Sequence, residues 1–245
     1  MKFAREFWYM LRLHLLMHRG FIVVISMVSL GFPLGFVLGM DYLIPNITTD
    51  TATYITIGAA TQATITLALV GLPQLVAEAR HFGRLEYFLS LPISREAYLL
   101  AMAAEAMVIA APGVVFAIIL GWWYYDLSLH FEPLVLPAIL LGMLAMAGVG
   151  MGLAILVPHL QAVNALTQLL IFYFIFFSPV LLPAEQLPEV LQWTAKLLPP
   201  GYAADAMRAT LTDLPNTNLG RSMLAMAIFS VFSLSFSAYA VRRRA

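Results

Sequence analysis

The stretch that decides the fold is Glu78–Glu96, which reads EARHFGRLEYFLSLPISRE. It carries three basic and three acidic residues between two long apolar runs. Charged side chains are costly inside a bilayer, so this segment must lie in water while its flanks need not. We call it the charged island. It is the natural surface on which a soluble partner would act on a membrane-embedded body.

The composition of the chain indicates that lipid is its main solvent. The 245 residues are 62% hydrophobic and only 11% charged, whereas soluble domains carry roughly 25% charged residues. The formal net charge is zero, which gives no indication of a nucleic-acid partner. The absence of Cys excludes disulfides and thiolate metal sites.

Uncharged runs predict an all-α membrane protein with six transmembrane helices, since roughly 20 apolar residues cross a bilayer. The run at 133–184 is too long for one crossing, and Pro158-His159 divides it in two. The predicted spans are Gly20–Met40, Thr51–Ala77, Ala106–Tyr125 with a start as early as Ala97, the two halves of Pro133–Ala184, and Ser222–Val241. The first lacks a small-x-small cleavage site, so we expect it to be retained rather than removed as a signal peptide.

The distribution of basic residues predicts the orientation. With six crossings, ten of the 13 Lys and Arg residues fall on the side of the termini, and only Lys196, Arg208 and Arg221 fall on the other. Basic residues collect on the cytoplasmic side. Both termini and the charged island are therefore expected in the cytoplasm, in a multi-pass protein of the cell membrane, the inner membrane of a bacterium.

We expect one domain over 1–245, built from an N-terminal interfacial amphipathic helix (1–19), a six-helix bundle (20–241) and a cytoplasmic tail (242–245). In the first helix a basic stripe faces anionic lipid headgroups; a frayed topogenic tail is the alternative. The stripe consists of Lys2, Arg5, Arg12 and Arg19. Before the last span, prolines predict two short outer-leaflet helices, roughly Pro188–Leu198 and Tyr202–Leu214. The first could dip into the leaflet, cover the outer mouth of a pathway, or lie on the surface as a loop.

The sequence lacks the chemistry for hydrolysing ATP. A P-loop needs a Gly-rich phosphate cradle ending in Lys, and the only lysines, Lys2 and Lys196, follow no such loop. No pattern of catalytic residues is apparent. His14 and His18 are i, i+4 neighbours, but no acidic or Cys residue stands near them in sequence, so we interpret them as interfacial polar residues rather than metal ligands. No cofactor or metal is expected in this chain.

Several polar residues within the spans are candidates for a pathway: Thr61, Gln62, Glu105, Asn164 and Gln168. The uncharged ones could equally form interhelical hydrogen bonds. Glu105 could meet a substrate or another helix, or reach back to the inner interface, and one shallow carboxylate argues against a proton relay. Glycines at four-residue spacing predict close helix packing, within this chain or with another. They are Gly31, Gly35 and Gly39 in the first span, and Gly148 and Gly152 in the fourth.

The charged island resembles a pattern found in ABC-2 type exporter permeases, of the form Glu-x-x-x-x-Gly-x-Leu-Glu-x-Leu-x-x-x-Pro-x-Ser-Arg. The matching residues are Glu78, Gly83, Leu85, Glu86, Pro92, Ser94 and Arg95, and Phe88-Leu89 stands where the family has apolar residues. In that family the stretch contains a coupling helix, between the second and third transmembrane helices, that docks into an ATPase subunit. The resemblance implies an ATPase-coupling set of Gly83, Arg84, Glu86, Tyr87, Phe88, Pro92, Ser94 and Arg95.

A second resemblance lies before the last span. Pro183, Leu187, Pro188, Leu191 and Gln192 fit the family's Pro-x-x-x-Leu-Pro-x-x-Leu-Gln, while Pro199, Tyr202, Asp205 and Arg208 fit its Asn-Pro-Leu-Thr-Tyr-x-x-Asp-x-x-Arg. The chain departs from that pattern where Leu198-Pro199-Pro200-Gly201 replaces Asn-Pro-Leu-Thr. Pro199, Tyr202, Asp205 and Arg208 are our candidates for an outer gate.

The resemblance implies the permease subunit of an ATP-driven exporter, with ATP and Mg²⁺ held by partner ATPase subunits. A second permease copy, as a homodimer or with a close relative, would complete the route for an amphipathic or lipid-linked substrate such as a drug, a lipid or a glycan. An ion-coupled carrier and a non-transporting membrane scaffold remain alternatives. The missing P-loop fits all three.

Overall fold

The computed structural model describes residues 2–44, 46–178, 180, 188–189, 192–193, 197–212, 214 and 217–244. Over these residues the chain is helical, which confirms the all-α prediction. The helices are α1 (Lys2–Met17), α2 (Arg19–Leu43), α3 (Thr49–Thr66), a π-helical turn (Leu67–Gly71), α4 (Leu72–His81), α5 (Arg84–Ser90), α6 (Arg95–Tyr125), α7 (Val135–Leu156), α8 (Leu160–Phe177), α9 (Pro199–Leu211) and α10 (Leu219–Arg244).

Five helical segments of the described chain are long and apolar enough to cross a membrane. They are Ile22–Leu43, Thr49–His81, Arg95–Tyr125, Val135–Leu156 and Leu219–Val241. The predicted break in the long uncharged run is confirmed, because α7 ends at Leu156 and α8 begins at Leu160. The apolar stretch Leu160–Ile175 of α8 is shorter than the other five. A sixth crossing through α8 stays a prediction.

The second candidate span changes its helical pitch near the middle. Pro73 has no N–H to donate to the carbonyl of Leu69, and its ring would crowd that carbonyl in a regular α-helix. The π-helical turn Leu67–Gly71 widens the backbone just before the proline, so α3 and α4 continue as one helical path. This path carries the chain from Thr49 to the charged island.

Two glycines of α7 allow α10 to approach closely. A Cβ built on Gly148 would lie 2.3 Å from the backbone carbon of Ser233, and one on Gly152 would lie 2.3 Å from the ring of Phe236. The hydroxyl of Ser233 also donates across to the carbonyl of Leu144 at 3.2 Å. The predicted packing face of α7 is therefore confirmed, and its partner helix is in the same chain.

The three glycines of α2 behave differently. A Cβ on Gly31, Gly35 or Gly39 would meet nothing within 4 Å in this chain. In the most apolar 18-residue stretch of this span, only 12% of the residues are buried. The glycine face of α2 is therefore not a packing surface within the described chain.

One end of the bundle collects several elements that are distant in sequence. Met10 of α1, Leu85 of α5, Tyr98 of α6 and Val241 of α10 share one hydrophobic cluster. The predicted first helix is present as α1, which buries Met10 and His14 and exposes Lys2, Arg5 and Arg12 of the basic stripe. It ends at Met17, so Arg19, the last residue of the stripe, begins α2 instead. Its placement in the bilayer interface stays a prediction. The N-terminal helix, the charged island and the end of the last span thus lie together.

The second predicted short helix is present as α9. It begins at Pro199 rather than Tyr202, because proline suits the first turn of a helix, and it ends at Leu211 because Thr212 is extended. Ten of its 13 residues are buried, among them Ala203 and Ala206, which share a cluster with Ala138 of α7 and Met226 of α10. It is therefore packed into the bundle. The first predicted helix, 188–198, falls partly outside the described residues, at 190–191 and 194–196, and stays a prediction.

Candidate coupling site and outer gate

The predicted helix inside the charged island is present as α5. Gly83 precedes it with φ +69°, a left-handed conformation that glycine adopts without the steric cost borne by other residues. The turn reverses the chain after α4, and the peptide N–H of Gly83 donates to the carbonyl of Arg80 at 3.0 Å. A short helix is thereby held across the end of the bundle.

Part of the predicted coupling set faces away from the bundle. Glu86 and Tyr87 are exposed on α5, with Tyr87 at 62%. Gly83, Pro92 and Arg95 are exposed at its two ends. We call these five residues the docking face; together they offer one large aromatic ring and charges of both signs, and their docking to a partner stays a prediction. Aromatic residues with a polar rim are typical of protein interfaces.

The other three predicted coupling residues hold the island in place. Phe88 is half-buried and stacks on Tyr98 of α6, with ring centroids 5.4 Å apart. Arg84 pairs with Glu78 at 3.0 Å. Ser94 donates from its backbone N–H and its hydroxyl to Glu6 of α1, at 3.1 and 2.8 Å. The side chain of Leu89, which stands where the family has an apolar residue, lies outside the described set.

Glu6 ties α1 to Ser94, the residue just before the third candidate span. The two hydrogen bonds from Ser94, the backbone one first, hold the pKa of the Glu6 carboxyl below its ordinary value. Nothing in the sequence pairs these residues, which are 88 positions apart. The contact exists because α1 folds back beneath the bundle.

Arg80 links the island to the turn between α7 and α8. Its Nη1 donates to the carbonyls of Ala154 and Ile155 at 2.8 and 2.7 Å. Its Nη2 donates to those of Val157 and Pro158 at 2.5 and 2.6 Å. The last carbonyls of a helix have no partner within it, and a nearby cation also favours the negative end of the helix dipole. Sequence reasoning missed this contact. The features that could have indicated it are Arg80 itself and the end of α7, where the sequence offers no basic residue to bind the last carbonyls.

Glu105 is joined to His14 of α1 and to His18, which lies between α1 and α2. Nδ1 of His14 lies 3.0 Å from Oε2 of Glu105, and Nδ1 of His18 lies 2.6 Å from Oε1. Glu105 is completely buried and His14 is 3% exposed. We call these three residues the clasp. This contact could not be predicted from the sequence pattern, because the carboxylate is 91 positions from His14, and the interfacial placement of the histidines stays a prediction. Within the described residues, no group of three or more His, Cys, Asp or Glu side chains is arranged to hold a metal.

The uncharged pathway candidates fall into two separate places. Thr61 and Gln62 are buried in α3, where the Thr61 hydroxyl donates to the carbonyl of Ile57 at 2.8 Å and lies 3.4 Å from Sδ of Met207. Asn164 and Gln168 lie on α8, half-buried and exposed respectively. No described hydrogen bond joins the two groups. Their role in a pathway stays a prediction.

The outer-gate candidates on α9 reach towards different helices. Arg208 is 1% exposed, with its guanidinium carbon 4.1 Å from the ring centroid of Tyr54 in α3. It pairs with Asp205 at 2.9 Å and donates to the carbonyl of Val180. Burial lowers its pKa, and the Asp205 charge opposes that shift. Tyr202 instead faces Phe229 of α10, and Pro199 is the buried first residue of the helix.

The family model described as ABC-2 type transporter matches residues 3–212 of this chain. The chain therefore belongs to the ABC-2 type transporter family, as a multi-pass membrane permease domain that itself lacks ATPase activity. Permeases of this family pair with ATPase subunits.

Curated relatives carry the name Nodulation protein J. The protein of Rhizobium leguminosarum bv. trifolii is 32% identical over 146 residues, covering 59% of this chain and 54% of that protein. Those of R. leguminosarum bv. viciae and Rhizobium meliloti (strain 1021) are each 29% identical over 146 residues, covering 59% of this chain and 55% and 54% of those proteins. The chain spans about half the length of the curated relatives it matches.

Proposed function

We propose that this chain is the membrane-spanning permease subunit of an ATP-driven exporter for an amphipathic or lipid-linked substrate. The observation that carries the proposal is α5, a helix held firmly across one end of the bundle with Glu86 and Tyr87 exposed. Family membership gives that exposed helix a partner class, the ATPase subunit. ATP and Mg²⁺ bind to that ATPase subunit and not to this chain.

The contacts behind α5 make it suited to receiving force. Phe88 joins it to α6, Arg80 at the end of α4 is bonded to the α7–α8 turn, and Glu6 joins α1 to Ser94. A displacement of the charged island, which contains all three contacts, therefore acts on several helices at once, as coupled helix shifts require. The basic-residue count supports a cytoplasmic location for this end, together with both termini.

The opposite end supports a gate. α9 connects to α3 through Arg208 and Tyr54 and to α10 through Tyr202 and Phe229. A helix held by both neighbours responds when those neighbours move apart. We propose that a second permease copy, in a homodimer or with a close relative, supplies the other wall of the route, and that residues 1–245 act as one domain.

The ion-coupled carrier has less support. Such a carrier needs an ionisable group that meets the transported ion, and both carboxylate oxygens of Glu105 contact histidines, His14 and His18. The scaffold alternative leaves the exposed face of α5 without a purpose.

The proposal is tested in proteoliposomes holding the permease and its co-purified ATPase. Glu86→Ala should keep the complex hydrolysing ATP while export of a fluorescent phospholipid falls. Glu132→Ala is the matched control, since Glu132 is exposed in the loop between α6 and α7, and it should export like the wild type. Export that needs no ATPase subunit would overturn the proposal.

A further inference from the structure

We propose that Glu105, His14 and His18 are positioning residues that hold α1, and through it α5, in place by sharing one proton, so that the coupling of ATP hydrolysis to helix movement depends on pH. The part concerning coupling rests on the proposed function. The part concerning α1 stands on the geometry of the clasp alone.

The clasp is most stable with no net charge. Glu105 is 0% exposed, and an isolated buried carboxylate is strongly disfavoured unless it is paired or protonated. One extra proton shared among the three groups gives a neutral cluster in which both carboxylate oxygens remain hydrogen-bonded. Removing that proton leaves a buried negative charge between two neutral rings.

The two histidines are not equivalent. The side chain of His18 is 20% exposed, against 4% for His14, so a charged His18 ring can be hydrated at its outer edge. Nε2 of His14 is buried and has no hydrogen-bond partner within the described structure. A proton there would be left without an acceptor. His18 is therefore the ring that carries the charge, and His14 donates from Nδ1 while neutral.

The surroundings of the clasp also favour a single proton. A cavity of about 20 Å³, room for one water molecule, lies between α1, α4, α5 and α6. Besides the two histidines, its titratable or charged lining consists of Arg84 from α5 and Tyr98 from α6, while α4 contributes Leu75 and Ala79. Arg84 is itself paired with Glu78 at 3.0 Å, and a second proton would give the buried clasp a net positive charge, which burial disfavours. The water-sized space offers a route for the proton.

The clasp connects to the coupling helix through aromatic contacts. The ring of His14 lies 5.3 Å from that of Tyr98 and 6.3 Å from that of Phe88. Phe88 belongs to α5 and stacks on Tyr98 in turn. If α1 moves away from α6, Phe88 loses one of its supports. Histidine ordinarily changes charge between about pH 5 and 8, so the cytoplasmic pH controls how firmly α5 is held.

The first test measures the position of α1 directly. The chain has no native cysteine, so spin labels at Tyr9→Cys and Gln161→Cys, both exposed, report the distance between α1 and α8 in nanodiscs. We expect one population near about pH 6 and a second, longer one near about pH 8.5, on either side of the histidine range. Glu105→Gln and His18→Gln should remove the pH response, and His159→Gln, at an exposed histidine of the α7–α8 turn, should keep it.

An identical distance distribution at both pH values in the wild-type chain would overturn the clasp, and so would an unchanged pH response in both Glu105→Gln and His18→Gln. The comparison of the wild-type chain at the two pH values remains decisive even if the clasp variants do not fold.

The second test asks whether the clasp affects coupling. In the complex with the ATPase, labels at Trp123→Cys and Leu224→Cys, both exposed, should move apart or together when ATP and Mg²⁺ are added. We measure the fraction of molecules whose label distance changes, divided by the ATP hydrolysed. We expect this ratio to fall roughly fivefold from the lower to the higher pH, an effect at the lower end of ordinary couplings between sites. Glu105→Gln should give the same ratio at both pH values.

A pH-dependent position of α1 together with pH-independent coupling would overturn the positioning role. No ATP response at any pH would overturn the proposed function instead, and the first test would still decide the clasp.

Discussion

Arg80 and Val157 are joined by a hydrogen bond of 2.5 Å, from the guanidinium Nη2 to the backbone carbonyl. Three neighbouring carbonyls, those of Ala154, Ile155 and Pro158, accept from the same side chain. One arginine thus caps α7 and fixes the charged island to the turn that begins α8. A soluble partner that moves the island moves this turn as well.

Replacing Arg80 should destabilise the turn and weaken coupling. Arg80→Met removes the charged donor from four carbonyls, and hydrogen bonds to a charged group contribute about 1.5–3 kcal/mol each when counted singly. Because the turn is partly exposed to water, we expect a net loss of about 2–4 kcal/mol in the free energy of unfolding. Thermal unfolding in detergent measures it.

Arg95→Met is the matched control for Arg80→Met, because Arg95 is an exposed arginine of the same island. It should leave the unfolding temperature unchanged while reducing ATP-driven movement. Equal stability of the two variants would show that the carbonyl cap contributes nothing.

The close contact of α7 with α10 predicts that Gly148 tolerates no side chain. A Cβ there would lie 2.3 Å from the backbone of Ser233, which cannot move aside as a flexible side chain would. Overpacking costs about 1–3 kcal/mol, and a backbone clash should reach at least that. Gly35→Ala is the control, since its Cβ would meet nothing within 4 Å. If Gly148→Ala unfolds at the same temperature as Gly35→Ala, the helix contact is wrong.

The left-handed backbone at Gly83 makes a different prediction. Gly83→Val forces a β-branched residue to φ +69°, at about 1–2 kcal/mol or more, and should shift α5 out of its docking position. Gly83→Asn should retain more coupling, because asparagine adopts this region more readily. Gly20→Val is the control, because it also replaces a glycine by valine but at a position whose φ is not positive. Normal coupling in Gly83→Val would count against a fixed α5.

Arg208 should be the most sensitive residue of α9. Arg208→Ala removes the cation from the Tyr54 ring and the donor from the Val180 carbonyl, and we expect a loss of about 3 kcal/mol. Asp205→Asn should lower the free energy of unfolding by less, because the Asp205 side chain is 42% exposed.

Export should fall in the double variant Tyr202→Ala/Arg208→Ala. Unchanged export by that variant would rule out a gating role for α9.

Local patterns predicted much of this fold. Charge-free runs located α2, α3, α6, α7 and α10 as spans, and Pro158 marked the break before α8. The island helix followed from the family pattern. These features depend on residues close together in sequence, where hydropathy and turn chemistry act.

The contacts that join distant elements could not be predicted in this way. Glu105 meets His14 only because α1 folds back onto α6, and Arg80 meets Val157 only because α4 ends beside α7. The sequence pattern assigned no particular partner to either polar group. The same holds for Tyr54 and Arg208, which nothing in a single sequence brings together.

The most direct test of the central claim is a cysteine cross-link at the docking face. Because the native chain has no cysteine, Tyr87→Cys carries a single reactive site, and Tyr87 is 62% exposed on α5. Trp123→Cys, 74% exposed at the far end of α6, is its control. We predict that a short cross-linker joins position 87, and not position 123, to an ABC ATPase subunit in native membranes. No ATPase captured at position 87, or equal capture at both positions, would contradict the account.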